Sequence, residues 1–573
     1  MARELAHMLP ELGISHVFEL IGGMTTVMID ALYESPGITV VPMHHEQGAG
    51  FAAEGFARMA GVPAVAMATS GPGATNVITA IASCYFDSVP AVFITGQVNR
   101  SEMWIDRPGR QGGFQETDIC RIVEPITKWA TMIAEPTDFR DSLRTAFATA
   151  VGGRPGPVLL DIPMDVQRAL IPAAALQAST EAPLGTLSTA GSADTFICEL
   201  KNSLERSARP IVIAGGGIRT AAAVEEFRRF ARNTGIPVAS SLMGIDVLPA
   251  ESPNRIGMLG SYGNRWTNWA IAHADLLLVL GSRLDIRQTG SDPPGFAGDR
   301  AIFHVDIDDT ELGSRISGGH RLSMDIGRFL GEAGITELRP PDTAGWLREI
   351  RSKEADWPDT AENIPHGGIN PNVAVRELTS RWKSVSAFVT DVGQHQMWSA
   401  QSAQLLPHQR FLTSGGLGAM GFGLPASIGA ALAAPGLPVC LIAGDGGLQC
   451  NIQELQVIVR TGLPIRIVVF DNKCQGMVRQ FQESYFDARY CSTVIGYSSP
   501  NFAAVADAYG IRAWSVDDHA SLTAVIDEVG LSAEPCLIHI NIEPSLNVYP
   551  KMAFGQPFGS MEPDVFSTEM EGT

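Results

Sequence analysis

The residues with the clearest chemical potential follow a short apolar run in the C-terminal third of the chain. Residues 439–443 have the composition of a buried strand, and they lead directly into Gly444, Asp445, Gly446 and Gly447. Glycines allow backbone N–H groups to approach a ligand, and the start of a following helix attracts negative charge. The segment therefore predicts a cradle for a phosphate-like anion, although a plain turn could have the same sequence.

A second apolar run, residues 465–470, ends in Asp471 and Asn472. The carboxyl ends of neighbouring parallel strands lie at one edge of an α/β sheet, which is where such sheets bind ligands. We therefore expect Asp445 and Asn472 to lie side by side. A carboxylate and an amide oxygen, together with phosphate oxygens, form a suitable ligand set for Mg²⁺.

A glutamate near the N-terminus has a setting that could raise its pKa. Glu46 follows the apolar residues 38–43 and begins the stretch EQGAGFAAEGFARMAG, which ends at Gly61. A carboxylic acid in apolar surroundings keeps its proton to higher pH. Taken alone, however, Glu46 is also typical of a favourable charge at the start of a helix.

The elements that must position these residues are short β-rich runs that alternate with helical stretches, and this pattern indicates parallel βαβ units. We expect an α/β protein with three doubly wound parallel-sheet domains and a C-terminal tail. The three domains and the tail are predicted at residues 1–172, 190–340, 368–550 and 551–573, with a polar linker at 172–195 and a proline-rich connection without sustained periodicity at 339–372.

Individual strands are predicted where apolar runs are bounded by turn residues. A helix is also expected after the glycine turn at 444–447, because Ile452, Leu455 and Ile458 would share one helical face. The predicted strands are residues 64–68, 91–95, 157–162, 210–214, 237–240, 276–280, 301–305, 387–390, 439–443, 465–470 and 536–542.

The composition argues against several classes of function. The chain has 573 residues, too many for one hydrophobic core, and its net charge of −20 should repel nucleic acid and anionic membranes. Its eight cysteines are scattered, which argues against a zinc site or a disulfide framework. Because no signal-type segment or long apolar run is present, we expect a cytoplasmic enzyme that acts on small molecules.

The glycine turn and the Asp471-Asn472 pair resemble the diphosphate motif of thiamine-diphosphate-dependent enzymes, which is GDG followed one βα unit later by an Asn pair. This chain departs from the motif at the first member of the pair, where it has Asp471 instead of Asn. The resemblance implies Mg²⁺ bound by Asp445, Asn472 and the backbone oxygen of Cys474. It also implies that the cofactor lies against further residues of this region, namely Gly418, Gly444, Gly446, Gly447, Gly476 and Met477.

The stretch that begins at Glu46 is similar to the glutamate helix of the same family. The resemblance implies that Glu46 stabilises the imino tautomer of the cofactor's aminopyrimidine, which then removes the C2 proton of the thiazolium ring. In this family the cofactor spans two subunits. Glu46 of one chain would therefore serve the cofactor bound by Asp445 and Asn472 of its partner, in a homodimer or a homotetramer.

Within the family, the chain is most similar to the acetolactate synthase branch, from residue 1 to about residue 550. The resemblance implies that Gln394 and His395 lie against the diphosphate and that Met420 is the apolar wedge that bends the cofactor. Phe114 and Gln115 would line the substrate cavity, although by residue type alone Gln115 could be a surface amide. The motifs that carry this similarity are GFQE at 113–116, RPGP at 154–157, VGQHQMW at 392–398 and LTSGGLGAMGFGLP at 412–425.

The central domain also has two segments, residues 281–290 and 304–308, that are similar to FAD-binding segments of acetolactate synthases. The resemblance implies that FAD is bound there, with Arg287 against the flavin or against the acceptor substrate. Some relatives keep this pattern without flavin, and arginines that follow strands are often surface residues. The residues expected to contact FAD are Arg154, Arg283, Asp306 and Asp308.

Three positions depart from acetolactate synthases: Met164, Ser261 and Phe481 stand where that branch has lysine, methionine and tryptophan. All three belong to the acceptor side, and Phe481 would form part of the cavity wall. The tail at 550–561 is more similar to related enzymes of nucleotide-sugar and branched-sugar pathways, in which the acceptor is a ketone. We therefore expect a carboligase that decarboxylates a 2-oxo acid, pyruvate above all, and transfers the two-carbon unit to a nucleotide-sugar or cyclic ketone.

Other functions remain open at this stage. The first alternative is an acetolactate synthase with a second 2-oxo acid as acceptor. A 2-oxo acid decarboxylase, an oxidase and a cyclic-diketone hydrolase are further alternatives. A scaffold without activity is disfavoured because both Glu46 and Asp445 are present.

Overall fold

The computed structural model describes residues 1–104, 108–172, 193–338, 342–363 and 367–564. These residues form three six-stranded sheets in which every strand pairing is parallel, together with a two-stranded hairpin near the C-terminus. Alternate residues of a strand pack into different hydrophobic clusters: Val17 belongs to the cluster on one face of the first sheet and Phe18 to that on the other. The predicted α/β class with three parallel sheets is confirmed.

The first sheet has the strand order β2-β1-β3-β4-β6-β5. Its strands are β1 (His16–Leu20), β2 (Thr39–Pro42), β3 (Ala64–Ala68), β4 (Ala91–Gln97), β5 (Trp129–Met132) and β6 (Pro157–Pro163). The α-helices of this region are Ala2–Glu11, Thr26–Tyr33, Glu46–Ala60, Pro72–Asn76, Ile78–Phe86, Ile119–Val123, Phe139–Val151 and Met164–Arg168.

The central sheet has the order β12-β11-β10-β7-β8-β9. Its strands are β7 (Pro210–Ala214), β8 (Val238–Ser240), β9 (Arg255–Met258), β10 (Leu276–Leu280), β11 (Ala301–Asp306) and β12 (His320–Ser323). The α-helices here are Ala193–Leu204, Gly217–Thr220, Val224–Thr234, Arg265–His273, Ile286–Thr289, Pro293–Ala297, Ile326–Gly331, Ala333–Thr336 and Ala344–Asp356.

The third sheet has the order β14-β13-β15-β16-β18-β17. Its strands are β13 (Ala387–Thr390), β14 (Arg410–Thr413), β15 (Val439–Gly444), β16 (Ile465–Asp471), β17 (Arg512–Val516) and β18 (Cys536–Asn541). The α-helices are Pro371–Arg381, Gln394–Ser402, Gly423–Ala433, Asp445–Cys450, Leu455–Thr461, Gly476–Tyr485, Phe502–Ala508 and His519–Gly530, and the hairpin consists of β19 (Lys551–Met552) and β20 (Met561–Glu562).

Two local expectations were wrong. Ala344–Asp356 is helical within the proline-rich connection, because Trp346 and Ile350 are buried on one face of it. The helix after the glycine turn begins at Asp445 itself and is interrupted at Asn451 before it resumes at Leu455. The predicted linker falls mostly on residues 173–192, outside the described residues, and the tail is described only to residue 564. The predicted domain limits therefore stay predictions.

Two helices hold the first and third regions together. Glu46–Ala60, here called the glutamate helix, packs against Gly423–Ala433, and one hydrophobic cluster contains residues of both. A Cβ on Gly429 would lie 1.8 Å from the backbone oxygen of Ala52. The helices can approach this closely only because glycine has no side chain, and their contact fixes how the two sheets face each other.

Candidate active site

The carboxyl edge of the third sheet collects the polar residues expected at a diphosphate and metal site. Strands β15 and β16 pair in register, with Gly444 opposite Phe470, so Asp445 and Asn472 emerge at the same edge. Asp445 is the first residue of its helix. The main-chain N–H of Cys474 donates to Oδ1 of Asn472 at 3.1 Å, which closes the turn that follows β16.

Two carboxylates with opposite pKa shifts lie at this edge. Burial, together with the nearby Asp471, raises the pKa of Asp445 to about 7, and the Tyr497 hydroxyl donates to its Oδ2 at 3.0 Å. Burial also opposes ionisation of Asp471, but hydrogen bonds from His539 at 2.9 Å and Ser499 at 3.0 Å keep the pKa of Asp471 below its usual value. A divalent cation would relieve the cost of ionising Asp445, so these residues fit a metal.

Gln394 and His395 begin the helix that follows β13. Oε1 of Gln394 accepts a hydrogen bond from Nδ2 of Asn472 at 2.8 Å. His395 is buried, which lowers its pKa to about 3 and keeps the ring neutral. Its Nε2 is buried and has no hydrogen-bond partner among the residues that the structure describes. Because buried polar atoms are normally satisfied, this atom fits a missing ligand.

Glycines allow the side chains of this edge to pack closely together. A Cβ on Gly446 would lie 2.8 Å from Nε2 of Gln475, 3.1 Å from the Tyr497 hydroxyl and 3.3 Å from the methyl group of Met420. Met420 itself is 38% exposed. Gly476 has a similar constraint, since its Cβ would lie 2.1 Å from Oε1 of Gln394.

The remaining residues of this edge occupy the surrounding turns. Gly418 has a φ of +70°, which favours glycine, and it lies two residues before Met420. Met477 follows Gly476 in the helix Gly476–Tyr485 and packs against the core. Burial raises the pKa of the Cys474 thiol to about 11, so this side chain stays protonated near neutral pH and is not a nucleophile.

A second cluster lies at the carboxyl edge of the first sheet. Glu46 begins the glutamate helix and is buried, and Nδ2 of Asn76 donates to its Oε2 at 2.9 Å. Gln115 has a φ of +67°, a conformation uncommon for a residue with a side chain. Its Cβ lies 2.8 Å from the position of a Cβ on Gly71. Phe114, beside it, is 79% exposed.

The two clusters contact each other within one chain. Both carboxylate oxygens of Glu454 accept a hydrogen bond from the main-chain N–H of His44, at 3.1 and 3.2 Å. Nδ2 of Asn451 donates to Oε1 of Gln47 at 3.1 Å. The segment that follows Asp445 therefore holds the start of the glutamate helix in place.

A cavity of about 570 Å³ lies where the three regions meet. This volume is within the range of about 300–1,000 Å³ typical of small-molecule sites. Four of the residues predicted at a flavin site line it: Arg154, Arg283, Arg287 and Asp306. Asp308 does not line it, because its carboxylate turns to Nη1 of Arg154 at 3.0 Å.

The sequence analysis missed several residues of these sites. Residues 215–217 form a glycine turn after β7, Gly216 and Gly217 line the cavity, and the same signal that drew attention to 444–447 would have found them. Gly215 and Gly217 donate their N–H groups to the backbone oxygens of Leu280 and Gly281, at 2.9 and 3.0 Å, so the nearby arginines are the groups that suit the phosphates of a dinucleotide such as FAD. Asn76 and Tyr497 were also missed, and neither has a local sequence signal.

Three family models match this chain: the N-terminal TPP binding domain of thiamine pyrophosphate enzymes at residues 1–122, the central domain at 197–332 and the C-terminal TPP binding domain at 391–540. The acetolactate synthase large subunit of Lactococcus lactis is 36% identical over 552 residues, which cover 96% of this chain and 93% of that protein. This chain belongs to the thiamine pyrophosphate enzyme family.

Other relatives in the family have the same function in their names. The acetolactate synthase isozyme 2 large subunit of Escherichia coli is 35% identical over 555 residues, covering 96% of both chains. The probable chloroplastic acetolactate synthase 2 of rice is 37% identical over 564 residues, covering 94% of this chain and 82% of that one. The chain is therefore a thiamine-diphosphate-dependent enzyme of the acetolactate synthase type. Among the described residues, no helix combines the length and apolarity needed to cross a bilayer.

The three departures from acetolactate synthases occupy different places. Ser261 lines the central cavity, and its hydroxyl donates to the backbone oxygen of Arg287 at 3.1 Å. Phe481 is 53% exposed on the helix that begins at Gly476, and its ring lies 4.9 Å from that of Tyr485. Met164 begins a helix directly after β6 and does not line the cavity.

Proposed function

We propose that this enzyme is an acetolactate synthase, which decarboxylates pyruvate and joins the two-carbon unit to a second 2-oxo acid. The observation that carries this proposal is the similarity to proteins named acetolactate synthase over 96% of the chain at 36% identity. It favours the first alternative of the sequence analysis over a sugar-derived or cyclic ketone as acceptor, for which the relatives give no support.

The third sheet supplies the diphosphate site in this proposal. Asp445, Asn472 and the backbone oxygen of Cys474 would bind Mg²⁺, and the unpartnered Nε2 of His395 would face the diphosphate. Thiamine diphosphate, when bound, supplies the carbanion stabilisation that decarboxylation requires. The chain contributes binding and orientation: the start of the helix at Asp445 attracts negative charge, and Gln394 holds Asn472 in position.

The first sheet supplies the proton-handling carboxyl group. Glu46 would hold a proton at its carboxyl group, close to the pyrimidine of the cofactor. The amide of Asn76 fixes one oxygen of Glu46, so the other oxygen would be available to the cofactor. General acid–base groups held in this way contribute about 10²- to 10⁴-fold to rates.

Water must be kept from the reacting carbon, because early protonation would release free aldehyde. Met420 and Phe481 from one chain, with Phe114 from a second, would form the apolar wall that keeps water out, and Gln115 would line the cavity beside Phe114. All four are at least partly exposed in the single chain, which supports a homodimer with the active site at the subunit interface. FAD would fill the central cavity as a structural group.

The acceptor is tested by steady-state competition. Pyruvate is offered as donor together with 2-oxobutyrate or with a cyclic ketone, and the products are separated by mass spectrometry. We expect the larger acceptor kcat/KM for the 2-oxo acid. A larger kcat/KM for the ketone would contradict the proposal and would favour the second candidate, which rests on the smaller aromatic ring at Phe481 and on Met164 in place of a cation.

A further inference from the structure

Met420 lies on a loop that is held at its far end by a buried carboxylate of its own domain. This loop, residues 413–421, is called the wedge loop. Oδ1 of Asp391, which follows β13, accepts the N–H of Gly421 at 3.0 Å, and its Oδ2 accepts that of Gly423 at 2.8 Å. The wedge loop is therefore anchored directly after Met420.

The near end is held by a second buried carboxylate, which belongs to the first domain. Asp87 follows the helix Ile78–Phe86, and its side chain is 1% exposed. Its Oδ2 accepts the N–H of Gly415 at 2.9 Å, and its Oδ1 accepts that of Gly416 at 2.6 Å. Hydrogen bonds to an ionised acceptor are about twice as strong as neutral ones.

An arginine of the glutamate helix completes this anchor. Nη1 of Arg58 lies 3.8 Å from Oδ2 of Asp87 and 3.3 Å from Oε1 of Glu54. The same nitrogen donates to the backbone oxygen of Thr413 at 2.7 Å. One cation of the first domain therefore binds both the carboxylate that holds the wedge loop and the first residue of the loop.

The loop is also closed on itself between its two anchors. Oγ of Ser414 accepts the N–H of Ala419 at 3.2 Å and lies 3.4 Å from the hydroxyl of Ser83 in the first domain. Between these bonds, Leu417 and Met420 are the exposed apolar side chains of the loop. The position of Met420 over Gly446 thus depends on groups that belong to a different domain.

We propose that Asp87 is a positioning residue that holds the wedge loop so that Met420 stands against the cofactor. The proposal rests on the proposed function only in taking Met420 as a contact of thiamine diphosphate. Without the Asp87 anchor, the start of the wedge loop would sample other conformations, and Met420 would reach its place in a smaller fraction of molecules.

The first test replaces Asp87 by Asn, which keeps the size but turns an amide N–H₂ toward a backbone N–H. We expect thiamine diphosphate affinity, measured by calorimetry with Mg²⁺, and kcat for CO₂ release from pyruvate each to fall by about tenfold or more, the effect of losing a hydrogen bond to a charged group. Asp275→Asn is the matched control, since Asp275 also accepts N–H groups of two consecutive residues, Ala208 and Arg209, but lies in the central domain. The proposal is overturned if both variants behave alike.

A double-mutant cycle separates positioning from general destabilisation. If Asp87 acts through Met420, then Asp87→Asn should change cofactor affinity by less than about twofold in a Met420→Ala background. An equal loss in both backgrounds would contradict the proposal. Neither readout depends on the acceptor, so an enzyme that forms no acetolactate would disprove the proposed function and leave this test intact.

A milder variant keeps the test decisive if Asp87→Asn does not fold. Ser414→Ala removes only the hydroxyl that accepts the N–H of Ala419. We expect a smaller loss in the same two measurements, about threefold, that again disappears in the Met420→Ala background. Unchanged affinity and turnover in a folded Ser414→Ala enzyme would overturn the inference.

Discussion

Glu46 has two carboxylate oxygens in different surroundings. Oε2 accepts the hydrogen bond from Asn76, whereas Oε1 lies 3.3 Å from where a Cβ on Gly73 would be. The glycine therefore keeps the space beside Oε1 open. An oxygen that is fixed in position and faces open space is suited to exchange a proton with a bound ring.

Replacing Glu46 by Gln should lower turnover by at least about 100-fold with the fold and cofactor binding retained, because a positioned acid–base group contributes about 10²- to 10⁴-fold. CO₂ release from pyruvate is the measurement, with thiamine diphosphate affinity measured in parallel. Glu34→Gln, at an exposed position after the helix Thr26–Tyr33, is the control. Near-normal turnover in the Glu46 variant would remove this residue from the mechanism.

The sequence was informative about single residues only where chemistry and a local pattern coincide. Asp445 and Asn472 follow strands, so their common edge could be predicted from the order of elements alone. Asn76 and Asp87 could not be predicted, because their roles come from contacts with Glu46 and with Gly415, which are distant in sequence. The side chain of Asp308 turns to Arg154 and not to the central cavity, so its contact with FAD stays a prediction.

At the scale of elements, one buried acid ties the start of the glutamate helix to the third sheet. Glu454 accepts its hydrogen bonds from the backbone of His44, and burial raises the pKa of Glu454 to about 7 against an ordinary value of 4.5. The folded state therefore favours its protonated form. The associated stability is fully present below about pH 4.5 and is lost as the pH rises to about 7.

A Gln at position 454 cannot ionise, so it should remove this pH dependence. We expect the melting temperature of Glu454→Gln, relative to the parent protein, to rise by a few degrees between pH 5 and pH 8, corresponding to about 1–3 kcal/mol. Thermal melts at both pH values measure it, with Glu34→Gln as a variant that should show no such trend. A constant difference at all pH values would count against the raised pKa.

Strand prediction succeeded and failed for a common reason. Every predicted strand agrees with an observed one to within two residues at each end, since these strands have continuous apolar runs. The apolar pattern did not single out the edge strands β5, β9, β12, β14 and β17, or the interior strand β1, in which His16 and Glu19 interrupt the apolar residues. Edge strands such as Arg512–Val516 are partly exposed and mix polar with apolar residues, so their composition gives little signal.

For the whole molecule, the proposed dimer can be tested by complementation between two inactive variants. If each site uses Glu46 of one chain and Asp445 of its partner, two inactive variants should restore activity when they are mixed. Glu46→Gln and Asp445→Ala subunits, dissociated and reassembled in equal amounts, should give about a quarter of the parent activity, because half the dimers are mixed and each has one intact site. Sites confined to single chains would give no recovery.

The central cavity makes a second prediction at this scale. The purified protein should be yellow, with about one FAD for each chain, and the flavin should undergo no net redox change during turnover. Arg283→Ala should lose flavin, because it removes a positive charge from the cavity lining, whereas Arg229→Ala, on an exposed helix face, should not. Absorbance spectra of the purified variants measure the bound flavin. A colourless, fully active parent protein would refute the assignment.

Gly415 belongs to the lining of the central cavity, and Met420 lies five residues further along the same wedge loop. A ligand in the central cavity would contact one end of this loop and thiamine diphosphate would contact the other, so the two ligands would not bind independently. If a ligand in the cavity changes the affinity for thiamine diphosphate by some factor, thiamine diphosphate must change the affinity for that ligand by the same factor. The reason is that the two ligands share one coupling free energy. The order of addition would then change the course of reconstitution, but not its end point.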